Sequence, residues 1–149
     1  MQKYKDIIQY AIDREIEAEI FYKQLESKVS KQILKEMFSE FAKEENKHQQ
    51  ILKGVFDNKD QELHFQPTVD YQISETVVKP TISDKMTLAD VFAIAMKNEE
   101  RAMKMYNYLA ADSSSESMKK LFQELAAMEQ GHKLKMENCY TDVAYAEAW

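Results

Sequence analysis

The chain has 149 residues and a mass of 17.5 kDa, which suits one domain with a single sizeable core. It has two glycines and two prolines, where these residues usually make up about 12% of a chain, so the turns of an all-β sandwich or a doubly wound sheet are excluded. One cysteine excludes an internal disulfide framework or a four-cysteine metal site, and a net charge of −6 argues against nucleic acid as the main partner.

The first residues, MQKYKDIIQY, mix lysine and aspartate with apolar positions and do not form a secretory signal. No apolar run approaches the roughly 20 residues that cross a bilayer. The expectation is a cytoplasmic, all-α domain over residues 1–149 with no membrane partner.

Helical periodicity predicts a first helix over about 2–27 and a second over about 31–55, with Ser30 as N-cap and Gly54 near the end. Residues 56–86 form a crossover holding Pro67 and Pro80. Its alternation of Val69, Tyr71 and Ile73, then Val77, predicts an extended segment. A third helix is predicted over about 88–111, opened by a capping box of Thr87 and Asp90. A fourth follows over about 116–140, opened by Ser113 and Glu116. The tail after Tyr140, with Tyr145 and Trp149, is expected to fold over the helices or form a dimer contact. Short joints near Ser30 and Ser114 make two antiparallel hairpins. A helix of about 26 residues is about 39 Å long. The crossover, at roughly 3.3 Å per residue, can return along that length.

The second hairpin repeats the first at an offset of 84 without a gap. Asp6, Ala11, Glu15, Ala18, Tyr22 and Leu25 fall on Asp90, Ala95, Glu99, Ala102, Tyr106 and Leu109. Ser30, Phe38, Glu40, Ala42, Glu45 and His48 fall on Ser114, Phe122, Glu124, Ala126, Glu129 and His132.

Each helix carries a seam spaced alternately by three and four residues. The seams read Ile8, Ala11, Glu15, Ala18, Tyr22, Leu25 on the first helix and Leu34, Phe38, Phe41, Glu45, His48, Leu52, Val55 on the second. They read Phe92, Ala95, Glu99, Ala102, Tyr106, Leu109 on the third and Met118, Phe122, Leu125, Glu129, His132, Met136, Cys139 on the fourth. Four glutamates and two histidines thus interrupt otherwise apolar, small or aromatic seams. Residues equidistant from a hairpin turn lie level. Glu15 and Glu45 are centred on residue 30, and Glu99 and Glu129 on residue 114, so the four carboxylates share one level. Four bare buried carboxylates would be prohibitive. Two divalent cations offset them, and carboxylate with imidazole suits iron or manganese.

The motif of Glu15, Glu45-x-x-His48, Glu99 and Glu129-x-x-His132 resembles the ferritin-like di-iron carboxylate superfamily. With the tract EIEAEIFY at 15–22, it resembles the rubrerythrin-like branch within that superfamily. The resemblance covers the four helices and implies an antiparallel four-helix bundle of two hairpins joined by the long crossover. It implies two iron ions, with manganese or a mixed pair as alternatives. Glu15 and Glu99 would be terminal ligands, Glu45 and Glu129 bridges, and His48 and His132 caps.

Two departures stand out. The chain has only Cys139 and no rubredoxin-type domain, so an external electron donor, such as a rubredoxin-like protein, is expected. Ala102 stands where rubrerythrins tend to place a further carboxylate, leaving the six-ligand set shared with bacterioferritins.

The resemblance implies a redox enzyme, acting in oxidative stress, that reduces hydrogen peroxide or dioxygen. The alternatives are a ferroxidase that handles iron and a non-catalytic bundle stabilised by metal. A homodimer is expected. Tyr22 and Tyr106, two turns beyond Glu15 and Glu99, either bond to ligands and relay electrons or pack the core. His64 is expected at the surface, Cys139 in the seam, and the helical methionines Met37, Met96, Met103, Met105, Met118, Met128 and Met136 in packing.

Overall fold

In the computed structural model of the protein, residues 2–57 and 87–146 are described, with side chains for 5–57 and 87–142. Among the described residues all regular structure is helical: α1 (Gln2–Lys28), α2 (Gln32–Asp57), α3 (Leu88–Asp112) and α4 (Glu116–Ala146). None of these helices is long and apolar enough to cross a membrane. The chain divides into two compact units, one holding α1 and α2, the other α3 and α4.

The first unit is an antiparallel hairpin with a turn at residues 29–31. Ile8, Ala11, Tyr22 and Leu25 of α1 and Phe38, Phe41, Leu52 and Val55 of α2 are buried, as the seam requires. Ile7, Ile12 and Phe21 widen the α1 stripe. The α1 end continues into a buried Val29, whose N–H donates to Leu25 O at 3.1 Å. Lys28 places positive charge at that negative end of the helix dipole. Lys35 Nζ donates to Glu26 O at 3.2 Å, joining the first turn of α2 to the last of α1.

The second unit repeats this plan with a turn at 113–115. Thr87 and Asp90 form the predicted capping box, each backbone N–H donating to the other's side chain at 3.1 Å. Val91, Phe92, Ala95, Tyr106 and Leu109 of α3 are buried, as are Met118, Phe122, Leu125 and Met136 of α4.

Four boundary expectations are corrected. Lys35 N–H donates to Lys31 O at 3.0 Å, so Lys31 rather than Ser30 occupies the N-cap of α2. Ser113 closes α3, while Ser115 caps α4: its carbonyl accepts from Lys119 N at 2.9 Å and its Oγ from Met118 N at 3.4 Å. Gly54 does not end α2, which continues to Asp57 because buried Val55 still holds the last turn. α4 does not stop at Tyr140 but runs to Ala146, so most of the expected tail is helix. The crossover beyond Asp57, including His64, Pro67, Val69, Tyr71, Ile73, Val77 and Pro80, lies outside the described residues. So do Trp149 and the side chain of Tyr145.

Candidate metal centre

Glu15 lies on the buried seam of α1, and Glu45 and His48 lie one turn apart on that of α2. The short turn brings them level. His48 Nδ1 is 3.3 Å from Glu15 Oε2 and 3.6 Å from Glu45 Oε2. One donor atom from each of the three lies within 4.8 Å of the others.

The second hairpin builds the same triad. His132 Nδ1 is 3.6 Å from Glu99 Oε1 and 3.9 Å from Glu129 Oε2, again with one donor from each within 4.8 Å of the others. All six predicted donors are buried: Glu15 3%, Glu45 1%, His48 0%, Glu99 3%, Glu129 1% and His132 3% exposed. Within each hairpin the structure brings the predicted three together.

The chemistry of each triad fits a divalent cation. Two carboxylates and one imidazole converge in each core, where a carboxylate left without compensation costs several kcal/mol. The His48–Glu15 contact at 3.3 Å is a long hydrogen bond, and the other three imidazole–carboxylate distances, 3.6, 3.6 and 3.9 Å, exceed hydrogen-bond reach. Two donors that share one ion at about 2.0–2.2 Å lie roughly 3 Å apart or more, so all four spacings leave room for an ion between the donors.

Around the first triad lies a polar bracket that periodicity did not reveal. Buried Gln49 donates from Nε2 to Glu15 O at 3.3 Å and to Glu19 Oε1 at 2.8 Å. Asn46 Nδ2 donates to Glu19 Oε1 at 3.3 Å, and Lys23 Nζ is 2.9 Å from Glu19 Oε2. Burial pushes the Glu19 carboxyl up. The hydrogen bonds from Lys23, Gln49 and Asn46, with the Lys23 charge, outweigh it and hold the group below the usual carboxylate range. The available signal was two polar residues, Glu19 and Gln49, each one step outside a seam on facing helices.

Tyr22 and Tyr106 are buried and stacked on equivalent partners. Tyr22 lies 6.2 Å from Phe38 at 17°, and Tyr106 lies 6.4 Å from Phe122 at 18°. Phe41 adds an edge contact to Tyr22 at 5.4 Å. Cys139 is half-buried, and burial with the nearby Asp142 charge raises its thiol pKa. Ala102 is half-buried and adds no donor. Met105, Met118 and Met136 are buried, whereas Met128 is exposed on α4, against the packing role expected for it.

The rubrerythrin family model matches residues 6–140. A hypothetical protein from Pyrococcus furiosus is similar at 27% identity and a TM-score of 0.77, over 97% of this chain and 92% of that one. A candidate ferritin-like diiron-carboxylate protein from Thermotoga maritima is similar at 21% identity and a TM-score of 0.72, over 92% and 93%. This second likeness concerns the fold. A search of curated protein sequences finds no match. The fold is ferritin-like, the described residues being all-α with four helices in two antiparallel hairpins, and over nearly its whole length the chain belongs to the rubrerythrin family.

Proposed function

We propose that each triad holds a metal ion and that the protein is a redox enzyme reducing hydrogen peroxide, or dioxygen, with electrons from an external donor. The observation that carries this reading is the duplicated, buried Glu/Glu/His triad, Glu15 with Glu45 and His48, and Glu99 with Glu129 and His132. Iron is the proposed metal; manganese or a mixed pair suits the same donors.

Glu15, Glu45 and His48 would hold one ion and Glu99, Glu129 and His132 the other, through carboxylate oxygens and imidazole nitrogens. Four carboxylates offset the charge of two divalent ions. When two ferrous ions are bound they supply one electron each, which with two protons reduces hydrogen peroxide to two water molecules. The buried seam residues Ala11, Tyr22, Ala95 and Tyr106 keep bulk water from the donors and restrict the escape of reactive oxygen species. The proposed electron donor is external, such as a rubredoxin-like protein; Cys139 alone does not build a cysteine-ligated iron site.

Ala102 favours a second reading, since a six-donor set without a further carboxylate also suits ferroxidase chemistry. Gel filtration separates the two. The enzyme reading expects a homodimer near 35 kDa, twice the 17.5 kDa chain, and an iron-storage cage elutes far larger. The deciding experiment is stopped-flow mixing of the anaerobic ferrous protein with hydrogen peroxide. Oxidation much faster than that of free ferrous ion supports the enzyme; an equal rate defeats it.

A further inference from the structure

The two triads have the same donors but different surroundings. Gln49 directly follows His48, and its side chain reaches across the first hairpin to the backbone oxygen of Glu15 at 3.3 Å and to Glu19 Oε1 at 2.8 Å. It therefore bonds α2 beside one candidate donor to α1 at another. Glu19 is itself held by Lys23 at 2.9 Å and by Asn46 at 3.3 Å.

At an offset of 84, Met103 stands for Glu19 and Lys133 for Gln49. A thioether supplies no charged acceptor and an ammonium no amide. Lys133 pairs along its own helix with Glu137 at 3.1 Å instead of reaching across to α3. The imidazole–carboxylate distances follow the same order: 3.3 and 3.6 Å in the first triad, 3.6 and 3.9 Å in the second.

We infer that Gln49 is a positioning residue that makes the Glu15, Glu45 and His48 half the tighter of the two metal positions, so that the ions bind in order, this half first. The inference rests on the two-metal reading above. Donors already held in place lose less freedom when an ion arrives, and outer partners of metal ligands typically change affinity about 10–100-fold.

The test is an anaerobic titration of the metal-free chain with Co²⁺, followed by calorimetry and by visible ligand-field absorption. Two resolved steps are expected, the first at least about tenfold tighter. His48→Ala removes the tighter step and His132→Ala the weaker. Gln49→Met keeps the bulk without the amide; it weakens the first step about 10–100-fold and leaves the second within about twofold. The gain-of-bracket variant Met103→Glu with Lys133→Gln tightens the second step, which keeps the test open should Gln49→Met fold poorly. Two equivalent steps in the wild type, or equal shifts of both steps in Gln49→Met, overturn the ordered-loading proposal alone. Fewer than two Co²⁺ per wild-type chain overturns the two-metal reading and this inference with it.

Discussion

His48 Nδ1 lies 3.3 Å from Glu15 Oε2 across the α1–α2 hairpin. Eighty-four residues on, His132 Nδ1 lies 3.6 Å from Glu99 Oε1 across α3–α4. In both hairpins the same ring nitrogen faces the glutamate of the opposite helix. Two elementary rules produce this. Spacing by three and four keeps donors on the buried stripe of a helix. A three-residue turn then sets positions symmetric about its middle residue side by side.

The first prediction concerns occupancy. Wild-type protein loaded anaerobically with Fe²⁺ holds about two metals per chain. Glu99→Ala removes a carboxylate from the second triad, and the content falls to about one or less. Elemental analysis against protein concentration reads this directly. Unchanged content in the variant sinks the ligand assignment.

These donors were legible in the sequence because their placement needs only helix periodicity and the position of a turn. The caps were not. Ser113, Ser114 and Ser115 offer three equivalent hydroxyls, and packing of the turn selects Ser115 for α4. The turn likewise puts Ser30 at its middle, so Lys31 takes the cap of α2 against its intrinsic preference. Gly54 reads as a stop signal, yet a glycine costs a helix only about 1 kcal/mol. Burial of Val55 one residue later offsets that cost. Gln49 escaped notice because a polar residue beside a seam reads as solvated. Only the fold shows that it faces Glu15 and Glu19 across the hairpin.

The second prediction concerns the sign of a stability change. If the triads exist to hold cations, the metal-free protein carries unfavourable buried carboxylates. Glu45→Gln then leaves the metal-free protein unchanged within about 1 kcal/mol, or more stable, since replacing a buried charge by a neutral isostere relieves desolvation. The variant also loses metal-dependent stabilisation, which for the wild type reaches about 2.7 kcal/mol for each bound ion at a hundredfold excess over that ion's Kd. Denaturant melts with and without Mn²⁺ measure both. A loss of about 3–5 kcal/mol in the metal-free variant, the usual result of breaking a buried ion pair, contradicts the metal role.

The third prediction separates the two readings of the stacked tyrosines. Truncating a buried aromatic costs about 3–5 kcal/mol, so Tyr22→Ala and Tyr106→Ala each destabilise the metal-free protein by that amount. Tyr22→Phe keeps the ring on Phe38 and loses at most about 1.5 kcal/mol for the hydroxyl. Urea melts of the four proteins, wild type included, give these values. If packing is the whole role, Tyr22→Phe also leaves the rate of ferrous oxidation by peroxide unchanged. A rate fall of tenfold or more at preserved stability assigns the hydroxyl to electron or proton movement instead.

The last prediction uses the acid side of the stability curve. Glu19 is held below the usual carboxylate range. Burial pushes it up, but hydrogen bonds from Lys23, Gln49 and Asn46, together with the Lys23 charge, more than offset that push. A folded-state pKa below the unfolded one means that the folded protein binds fewer protons in this range. The contribution of Glu19 is therefore complete above the unfolded value of about 4.3, and it is lost as pH falls through the lower folded value. Glu19→Gln removes that titration while keeping the shape of the side chain. The stability gap between wild type and variant, measured on metal-free protein by urea melts, is expected to be constant from pH 7 to about pH 5 and to close below it. Subtraction cancels the other carboxylates, which titrate in both proteins. A gap that does not change between neutral and acid pH would show that the charge of Glu19 contributes nothing to holding α1 against α2.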